Sequence, residues 1–183
     1  VSNRLPFTVS LKEGRPRFRV SSGGLTSGLW SYLERGAASE KDPDFVWVGW
    51  PGASVPVEQQ AAVTEYGISR FKAAPVFLSD ESMDRFYHGF CNKTLWPIFH
   101  YFPTYAVYEQ DFWENYKKIN HDFLNAYLDI AQPDDIIWIH DYHLMMLPGL
   151  IRGKSPDATI GFFLHIPFPS YEIFRLLPGE WRT

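Results

Sequence analysis

The sequence predicts an α/β fold in which a mostly parallel sheet is covered by helices on both faces. Its length of 183 residues suits one domain of this class. Short and almost continuously apolar runs, such as "IIWI" and "IGFFL", are typical of strands in parallel sheets. These runs alternate with segments of helical periodicity, so the predicted sheet is Rossmann-like. Ligands of such sheets bind beyond the carboxyl ends of the strands.

The predicted elements of the first half begin with a hairpin. Two alternating runs in "PFTVSLKEGRPRFRVSS" flank a turn at Glu13 and Gly14. "SSGGLTSGLWSYLERG" indicates a glycine-rich turn that opens a helix. "FVWVGWPG" predicts a strand that ends in a turn, "VEQQAAVTEYG" predicts a helix, and "PVFLSD" predicts a further strand.

The second half contains one long predicted helix, from Asp111 to Ala131, whose apolar side chains recur at helical spacing. "DDIIWIH" and "ATIGFFLH" predict strands buried on both faces, and a short helix through "LMMLPGLIRG" separates them. "PSYEIFRLLP" begins a final helix. We expect residues 1–183 to form a single domain. The missing initial Met and the ending "LLPGEWRT" predict that it is a fragment of a longer protein.

Composition excludes several classes of function. A net charge of -4 disfavours binding along a nucleic-acid backbone. The single cysteine, Cys91, excludes an internal disulfide framework and a cysteine-rich zinc site, and it fits a reducing, cytoplasmic compartment. No apolar run approaches the ~18 residues of a membrane helix, and "VSNRLPF" lacks the apolar block of a signal peptide.

Polar side chains follow four of the predicted strands. The opening "VSNRLP" predicts the last residues of a strand and then a loop that carries Arg4. Trp50 follows "VWVG", His140 and Asp141 follow "IIWI", and His165 follows "IGFFL". Because the carboxyl ends of parallel strands meet at one edge of a sheet, we expect these side chains to gather there.

Three kinds of chemistry fit the residues at this edge poorly. His140, His143 and His165 could supply the three ligands of a catalytic zinc ion, but where a strand turns into a loop the spacing of His140 and His143 does not guarantee that they share a face. We therefore predict no metal site. A G-x-S-x-G nucleophile elbow is absent from the sequence. "SSGGLTSG" lacks the G-x-G-x-x-G spacing, which leaves a dinucleotide dehydrogenase as a weak alternative.

Binding of a phosphorylated sugar fits these residues better. Gly23 and Gly24 offer backbone N–H groups at a helix start, where the helix dipole favours phosphate. Arg4 has the planar fork that grips phosphate, and Asp141 accepts hydrogen bonds from sugar hydroxyls. Each residue also has an ordinary explanation: a tight turn, a surface arginine, a helix cap, or, for His165, a core histidine. Their shared position favours a phosphosugar or nucleotide-sugar enzyme over a structural protein.

Six segments, in order along the chain, resemble the trehalose-6-phosphate synthases. They are "SNRLP", "SSGGL", "WVGWPG", "FYHGFCNKTLWPIFHY", "WIHDYHLMMLP" and "FFLHIPFPS". The resemblance covers essentially the whole chain and corresponds to the amino-terminal half of such an enzyme. It implies a retaining, two-domain glycosyltransferase of the GT-B type, of which residues 1–183 are the acceptor-side domain and the carboxy-terminal nucleotide-sugar domain is absent. The implied reaction moves glucose from UDP-glucose to glucose 6-phosphate, giving α,α-trehalose 6-phosphate and UDP without a cofactor or catalytic metal.

The resemblance also implies a role for individual residues around the acceptor. Arg4 would hold the phosphate of glucose 6-phosphate. Tyr87 of "FYHGF" and Trp96 of "LWP" would shape the acceptor pocket. Asp141 of "HDYHL" would bind the acceptor sugar and take part in catalysis.

On the donor side, Gly23 and Gly24 of "SSGGL" would contact UDP-glucose. His165 of "FLHIP" would contact the transferred glucose and act with Asp141 in catalysis. Trp50 of "VGWPG" is a further candidate near the site. His140 and His143 are expected only to support the loop that carries Asp141.

Several alternatives remain open in the sequence. The protein could be a catalytically silent, synthase-like subunit that senses sugar phosphate, or a transferase that makes a different disaccharide phosphate. The ending "LLPGEWRT" departs from the family pattern and leaves a fused phosphatase domain as a further expectation. A homo-oligomer is also compatible with the sequence. Residues 1–183 alone are expected to lack synthase activity.

Overall fold

The structure, a computed structural model, describes residues 1–21, 23–36 and 44–182. The chain divides into two compact units, Val1–Ser79 and Asp80–Thr183, and each combines helices with strands. Among the described residues, no helix is long and apolar enough to cross a membrane.

The first unit begins with a hairpin, as the sequence predicts. Its elements are β1 (Phe7–Lys12), β2 (Arg15–Val20), α1 (Gly24–Gly36), β3 (Trp47–Gly49), α2 (Val57–Phe71) and β4 (Ala73–Pro75). β1 pairs antiparallel with β2. The turn between them has positive φ at both Glu13 (52°) and Gly14 (71°), the geometry that matches the twist of a two-residue hairpin.

A parallel arrangement is centred on β3. β3 pairs parallel with β4, and the segment that precedes β1 runs parallel beside β3 through an isolated bridge between Arg4 and Trp50. The predicted strand over "PVFLSD" is therefore wrong in its extent, because pairing with the three residues of β3 covers only Ala73–Pro75.

The core of the first unit lies between the hairpin and α2. Leu5, Phe7 and Val63 are fully buried in it. At Gly67 of α2, a Cβ atom would stand 2.7 Å from the carbonyl oxygen of Ala73, so the helix lies close against the start of β4. Only glycine permits this approach.

The second unit is mostly helical. Its elements are α3 (Asp80–Met83), a π-helix (Asp84–Leu95), α4 (Trp96–Phe99), a 3₁₀ turn (Pro103–Tyr105), α5 (Gln110–Leu128), β5 (Ile136–His140), a 3₁₀ turn (Tyr142–Leu144), α6 (Leu147–Lys154), β6 (Thr159–Phe163), α7 (Tyr171–Phe174) and a 3₁₀ turn (Gly179–Trp181). The long predicted helix is confirmed as α5. The final predicted helix is limited to the single turn of α7.

The sequence pattern does not predict the π-helix. The structure gives twelve residues in this conformation, and Phe86, Phe90 and Cys91 are buried. At Gly89, a Cβ atom would lie 2.7 Å from the ring of Phe112 in α5, so glycine is required where the two helices touch. π-Helical segments often occur at functional sites.

β5 and β6 form a parallel pair in which His140 is opposite Phe163. The expectation that both strands are buried on both faces is wrong. Ile137 and Ile139 are buried, but Ile136 is 79% exposed and Trp138 is 42% exposed. The physical reason is the two-residue period of a strand: Ile137 and Ile139 lie on the face that packs into the core, whereas Ile136 and Trp138 lie on the other face, where His140 at the end of the strand is buried.

Candidate active site

Arg4 and Trp50 meet in the first unit, as expected from their positions after two strands. The backbone N–H of Leu5 donates to the carbonyl of Trp50, and the N–H of Trp50 donates to the carbonyl of Asn3, each at 3.0 Å. The guanidinium carbon of Arg4 lies 5.1 Å from the centre of the Trp50 ring. At Gly49, a Cβ atom would stand 2.9 Å from the carbonyl carbon of Arg4, so glycine is needed for this close approach.

Two buried polar atoms lie in the segments that flank this contact. Trp50 and Asn3 are each 7% exposed. The indole Nε1 of Trp50 and the Oδ1 of Asn3 have no hydrogen-bond partner among the described residues. Because buried donors and acceptors are normally paired, these atoms fit a polar ligand beside Arg4.

Gly23 and Gly24 lie at the beginning of α1, as predicted. The carbonyl of Gly23 accepts from the backbone N–H of Ser27 at 2.9 Å, and the first turn of the helix carries no acidic residue. A Cβ atom on Gly24 would meet nothing within 4 Å, and one on Gly23 would meet only the Thr26 hydroxyl at 4.0 Å. Packing within the described residues does not explain either glycine, which leaves close approach by a ligand as an explanation.

Asp141 lies in the second unit in a strained backbone conformation. Its φ of 75° and ψ of 165° fall in a region that is essentially restricted to glycine. The carboxylate Oδ1 accepts from the backbone N–H of Tyr142 at 3.0 Å and from that of His165 at 3.3 Å. Strain of about 1–3 kcal/mol is typical of ligand-binding positions, so the conformation supports a functional role.

Two histidines meet beside Asp141. The Nδ1 of His140 lies 3.1 Å from the Nε2 of His165, and their rings stack with centroids 5.3 Å apart. His140 is 3% exposed, whereas His165 is exposed. Burial is the main cause that lowers the pKa of His140 to about 4, and the neighbouring His165 adds to it.

Aromatic side chains extend the same region. The ring of Tyr87 stacks on the ring of His143, 5.6 Å away and nearly parallel. The Nδ1 of His143 lies 3.7 Å from the Oδ2 of Asp141. Trp96 is 43% exposed and lies 5.9 Å from the Tyr142 ring. The π-helix and the loop after β5 thus bring Tyr87 to the neighbourhood of Asp141.

The Cys91 thiol and the Tyr142 hydroxyl, both buried close to this site, keep their protons. Burial raises the pKa of the Cys91 thiol well above its usual value, and the charge of Asp141 adds to the effect. Burial, followed by the charges of Cys91 and Asp141, likewise raises the pKa of Tyr142. A buried thiol of raised pKa is a poor nucleophile, so Cys91 fits the core and not the chemistry.

Within residues 1–21, 23–36 and 44–182, no three His, Cys, Asp or Glu side chains form a group that could hold a metal ion.

Sequence reasoning gave His140 and His143 only a part in supporting the loop. The structure instead places His140 against the ring of His165 and His143 between Tyr87 and Asp141. The register of β5 and β6 makes the first contact, and the π-helix makes the second. The sequence predicts that His140 and His165 gather at one edge of the sheet, but it carries no signal for the π-helix that brings Tyr87 to His143.

The whole chain, residues 1–183, matches the family model described as Glycosyltransferase family 20. It is 46% identical over 183 residues to an α,α-trehalose-phosphate synthase [UDP-forming] of Aspergillus niger, covering 97% of this chain and 34% of the relative. It is 43% identical to a bifunctional trehalose-6-phosphate synthase/phosphatase of Thermoproteus tenax, covering 100% of this chain and 24% of that protein. The chain thus spans about a third or less of the length of these curated relatives.

Solved structures agree with the predicted fold class. The chain matches the trehalose-6-phosphate synthase OtsA with a TM-score of 0.72 and 34% identity, covering 87% of this chain and 33% of that one. A Burkholderia xenovorans synthase in complex with glucose-6-phosphate gives 0.69 and 30%, over 86% and 33% of the two chains. The Candida albicans trehalose-6-phosphate phosphatase N-terminal domain gives 0.74 and 30%, over 99% and 37%. These matches and the parallel strand pairs confirm the predicted α/β fold of an amino-terminal GT-B region.

Proposed function

Because this chain belongs to glycosyltransferase family 20, we propose that it is the acceptor-side domain of a UDP-glucose-dependent trehalose-6-phosphate synthase. The whole enzyme transfers glucose from UDP-glucose to glucose 6-phosphate with retention, giving α,α-trehalose 6-phosphate and UDP. The observation that carries the proposal is the similarity, over almost the whole chain, to proteins named for that UDP-forming reaction. The solved relative with bound glucose-6-phosphate supports the acceptor.

The proposal assigns acceptor binding to Arg4 of the first unit and to Tyr87, Trp96 and Asp141 of the second. Arg4 binds the phosphate through charge-assisted hydrogen bonds, and the Trp50 ring below its guanidinium favours one orientation of that group. Tyr87 and Trp96 offer aromatic faces to the sugar, and Asp141 accepts from its hydroxyls. The donor side uses the backbone N–H groups at Gly23 and Gly24, while His165 contacts the transferred glucose.

The proposed chemistry is front-face attack. The acceptor hydroxyl oxygen bonds to the anomeric carbon on the face from which UDP leaves. The bond between that carbon and the phosphate oxygen breaks, and the hydroxyl proton passes to the departing phosphate. The protein positions the two sugars and stabilises developing charge, a task for which hydrogen-bonding side chains such as Asp141 and His165 suffice. No carboxylate nucleophile is required.

The remaining parts of the protein are also proposals. A carboxy-terminal domain binds the nucleotide sugar, so residues 1–183 alone have no synthase activity. The bifunctional relative supports a fused phosphatase domain as a further part of the whole protein. The single cysteine supports a cytoplasmic location. A homo-oligomer stays a prediction from the sequence.

The test is an assay of the full-length protein with UDP-glucose and glucose 6-phosphate. We expect stoichiometric release of UDP and trehalose 6-phosphate, detected by mass spectrometry, and none from residues 1–183. Binding of glucose 6-phosphate without turnover would instead favour the silent, sugar-phosphate-sensing subunit. The similarity to the N-terminal domain of a trehalose-6-phosphate phosphatase is the observation that favours testing this silent-subunit alternative. Turnover by residues 1–183 would contradict the two-domain proposal.

A further inference from the structure

The last residue of β5, His140, is buried, yet its ring contacts an exposed residue of the proposed site. It is 3% exposed, and its Nδ1 lies 3.1 Å from the Nε2 of His165. The two rings are stacked at an interplanar angle of 27°. A buried imidazole needs a polar partner, and here the partner is one ring nitrogen of a residue proposed to contact the transferred glucose.

The strand pairing fixes this contact from the backbone. His140 is opposite Phe163 in the parallel register, and His165 lies two residues after Phe163, just beyond the end of β6. The backbone N–H of Asp141 donates to the carbonyl of Phe163 at 2.8 Å. The N–H of His165 in turn donates to the carboxylate of Asp141 at 3.3 Å. The His165 residue is therefore anchored at its backbone as well as at its ring.

The hydrogen-bonding chemistry of imidazole decides which ring nitrogen of His165 remains for a ligand. Since burial lowers the pKa of His140 to about 4, its ring is neutral at pH 7 and carries one proton. If the Nδ1 of His140 is the donor, the Nε2 of His165 accepts; if it is the acceptor, the Nε2 of His165 donates. In both arrangements the Nε2 of His165 is occupied, and its Nδ1 is the nitrogen that remains for a ligand.

We propose that His140 is a positioning residue that holds the His165 ring with Nε2 toward the protein and Nδ1 toward the transferred sugar. The inference rests on the proposed function of the site. The proposed role of His140 differs from that of a residue that only supports the loop, because loop support needs only the volume of the ring. A positioning residue needs its Nδ1 atom, and its effect on the reaction passes through His165.

A double-mutant cycle in the full-length enzyme tests whether His140 acts on the reaction through His165. His140→Phe keeps a ring but removes both nitrogens, and we expect activity to fall by about 10–100-fold, the range known for partners that orient histidine side chains at metal sites. We expect the loss mainly in kcat, and we expect His140→Phe to cause no further loss in a protein that already carries His165→Ala. Losses that multiply in the double variant would overturn the proposal.

Conservative variants distinguish a need for a polar atom at the place of the His140 Nδ1 from a need for the volume of the ring. His140→Asn keeps a polar atom close to the place of Nδ1 and is expected to retain more activity than His140→Gln, whose amide lies one methylene further out. If His140→Phe does not fold, this pair decides, and equal activity of the two counts against the proposal. His121→Phe, on the exposed side of α5, is the matched control and should keep wild-type kinetics.

A second readout does not need turnover. Diethyl pyrocarbonate modifies accessible imidazole nitrogens, and peptide mass spectrometry gives the rate at each histidine. We expect His165 to react more slowly than the exposed His121 in the wild-type protein, and faster once His140→Phe or His140→Gln frees its Nε2. An unchanged rate at His165 in these variants overturns the proposal. If the full-length protein makes no trehalose 6-phosphate, the proposed function fails, and this rate still decides the role of His140.

Discussion

Arg4 forms an isolated parallel bridge with Trp50, whereas Asp141 follows the parallel strand β5, and the chain holds the two residues in different ways. Main-chain bonds to the segment around Trp50 hold Arg4, whose side chain is exposed. Asp141 has a strained backbone, and its own carboxylate accepts the N–H groups of Tyr142 and His165 that keep the loop in place. Substitution of Arg4 should therefore change binding without changing stability. Substitution of Asp141 should change both.

The largest expected effect is at Asp141. In the full-length enzyme, Asp141→Ala removes an acceptor for sugar hydroxyls and for two backbone N–H groups, and we expect formation of trehalose 6-phosphate to fall by roughly 100-fold or more. The thermal unfolding temperature should fall as well. Asp141→Asn keeps a side-chain oxygen for the backbone donors and should lose activity with little loss of stability. Activity within a few-fold of wild type in both variants would exclude Asp141 from the site.

Gly49→Ala tests how firmly the main chain holds Arg4. The new Cβ atom would stand 2.9 Å from the carbonyl carbon of Arg4 and from the carbonyl oxygen of Ser2. Overpacking against backbone should lower the free energy of unfolding by about 1–3 kcal/mol. Gly28→Ala in α1 is the control: its Cβ atom meets nothing within 4 Å, so the variant should gain about 0.5–1 kcal/mol. Equal effects in urea unfolding would show that the close approach at Gly49 is not required.

Arg4→Ala should separate binding from stability. Loss of a charge-assisted phosphate contact, about 1.5–3 kcal/mol, corresponds to a roughly 10–150-fold weaker affinity for glucose 6-phosphate. The free energy of unfolding should stay within about 0.5 kcal/mol of wild type, as for other exposed positions. Calorimetry with glucose 6-phosphate measures the affinity, and Arg70→Ala, at the exposed end of α2, is the control. Equal affinities of wild type and Arg4→Ala would remove Arg4 from the proposed site.

The two regions should also differ in their response to pH. All six histidines follow residue 79, and the pKa of His140 is lowered to about 4 from an ordinary 6.5. The unfolded chain therefore takes up a proton at higher pH than the folded one, so stability is unaffected above pH 6.5 and falls as the pH drops toward 4. We expect a loss of roughly 1–3 kcal/mol from this group over that window. Urea unfolding as a function of pH measures it.

His140→Asn removes the titrating group and is the control for that pH series. The difference in the free energy of unfolding between His140→Asn and wild type should change by the same amount between pH 6.5 and 4. A constant difference across the window would show that His140 is not held neutral by burial.

The smallest expected effect concerns the backbone at Asp141. A φ of 75° with a ψ of 165° is available to glycine without strain. Asp141→Gly and Asp141→Ala both lose the carboxylate, but the glycine variant should be more stable, by about 1 kcal/mol or more. If thermal unfolding ranks alanine above glycine, the strained conformation is not maintained in the protein.

Much of the fold follows from local sequence signals. The hairpin at Glu13 and Gly14 follows from turn chemistry and alternation, and α5 follows from a long helical period. Both signals act between residues that are close in sequence, so no tertiary contact is needed to interpret them. The motifs that resemble the synthases likewise place Arg4, Asp141 and His165 after strands. The sequence does not predict the π-helix. Gly89 in this helix packs against Phe112, and local sequence patterns carry no signal for a contact between segments that are distant in sequence.

The sequence by itself determined which residue types follow each strand and which family the motifs resemble. Only the tertiary structure decided how those residues are held. The register of β5 against β6 brings His140 to His165, and a shift of one residue would turn every side chain to the opposite face. Positive φ at Asp141 likewise has no sequence signal, because the conformation is strained for aspartate; in the folded loop the Asp141 carboxylate accepts the N–H groups of Tyr142 and His165.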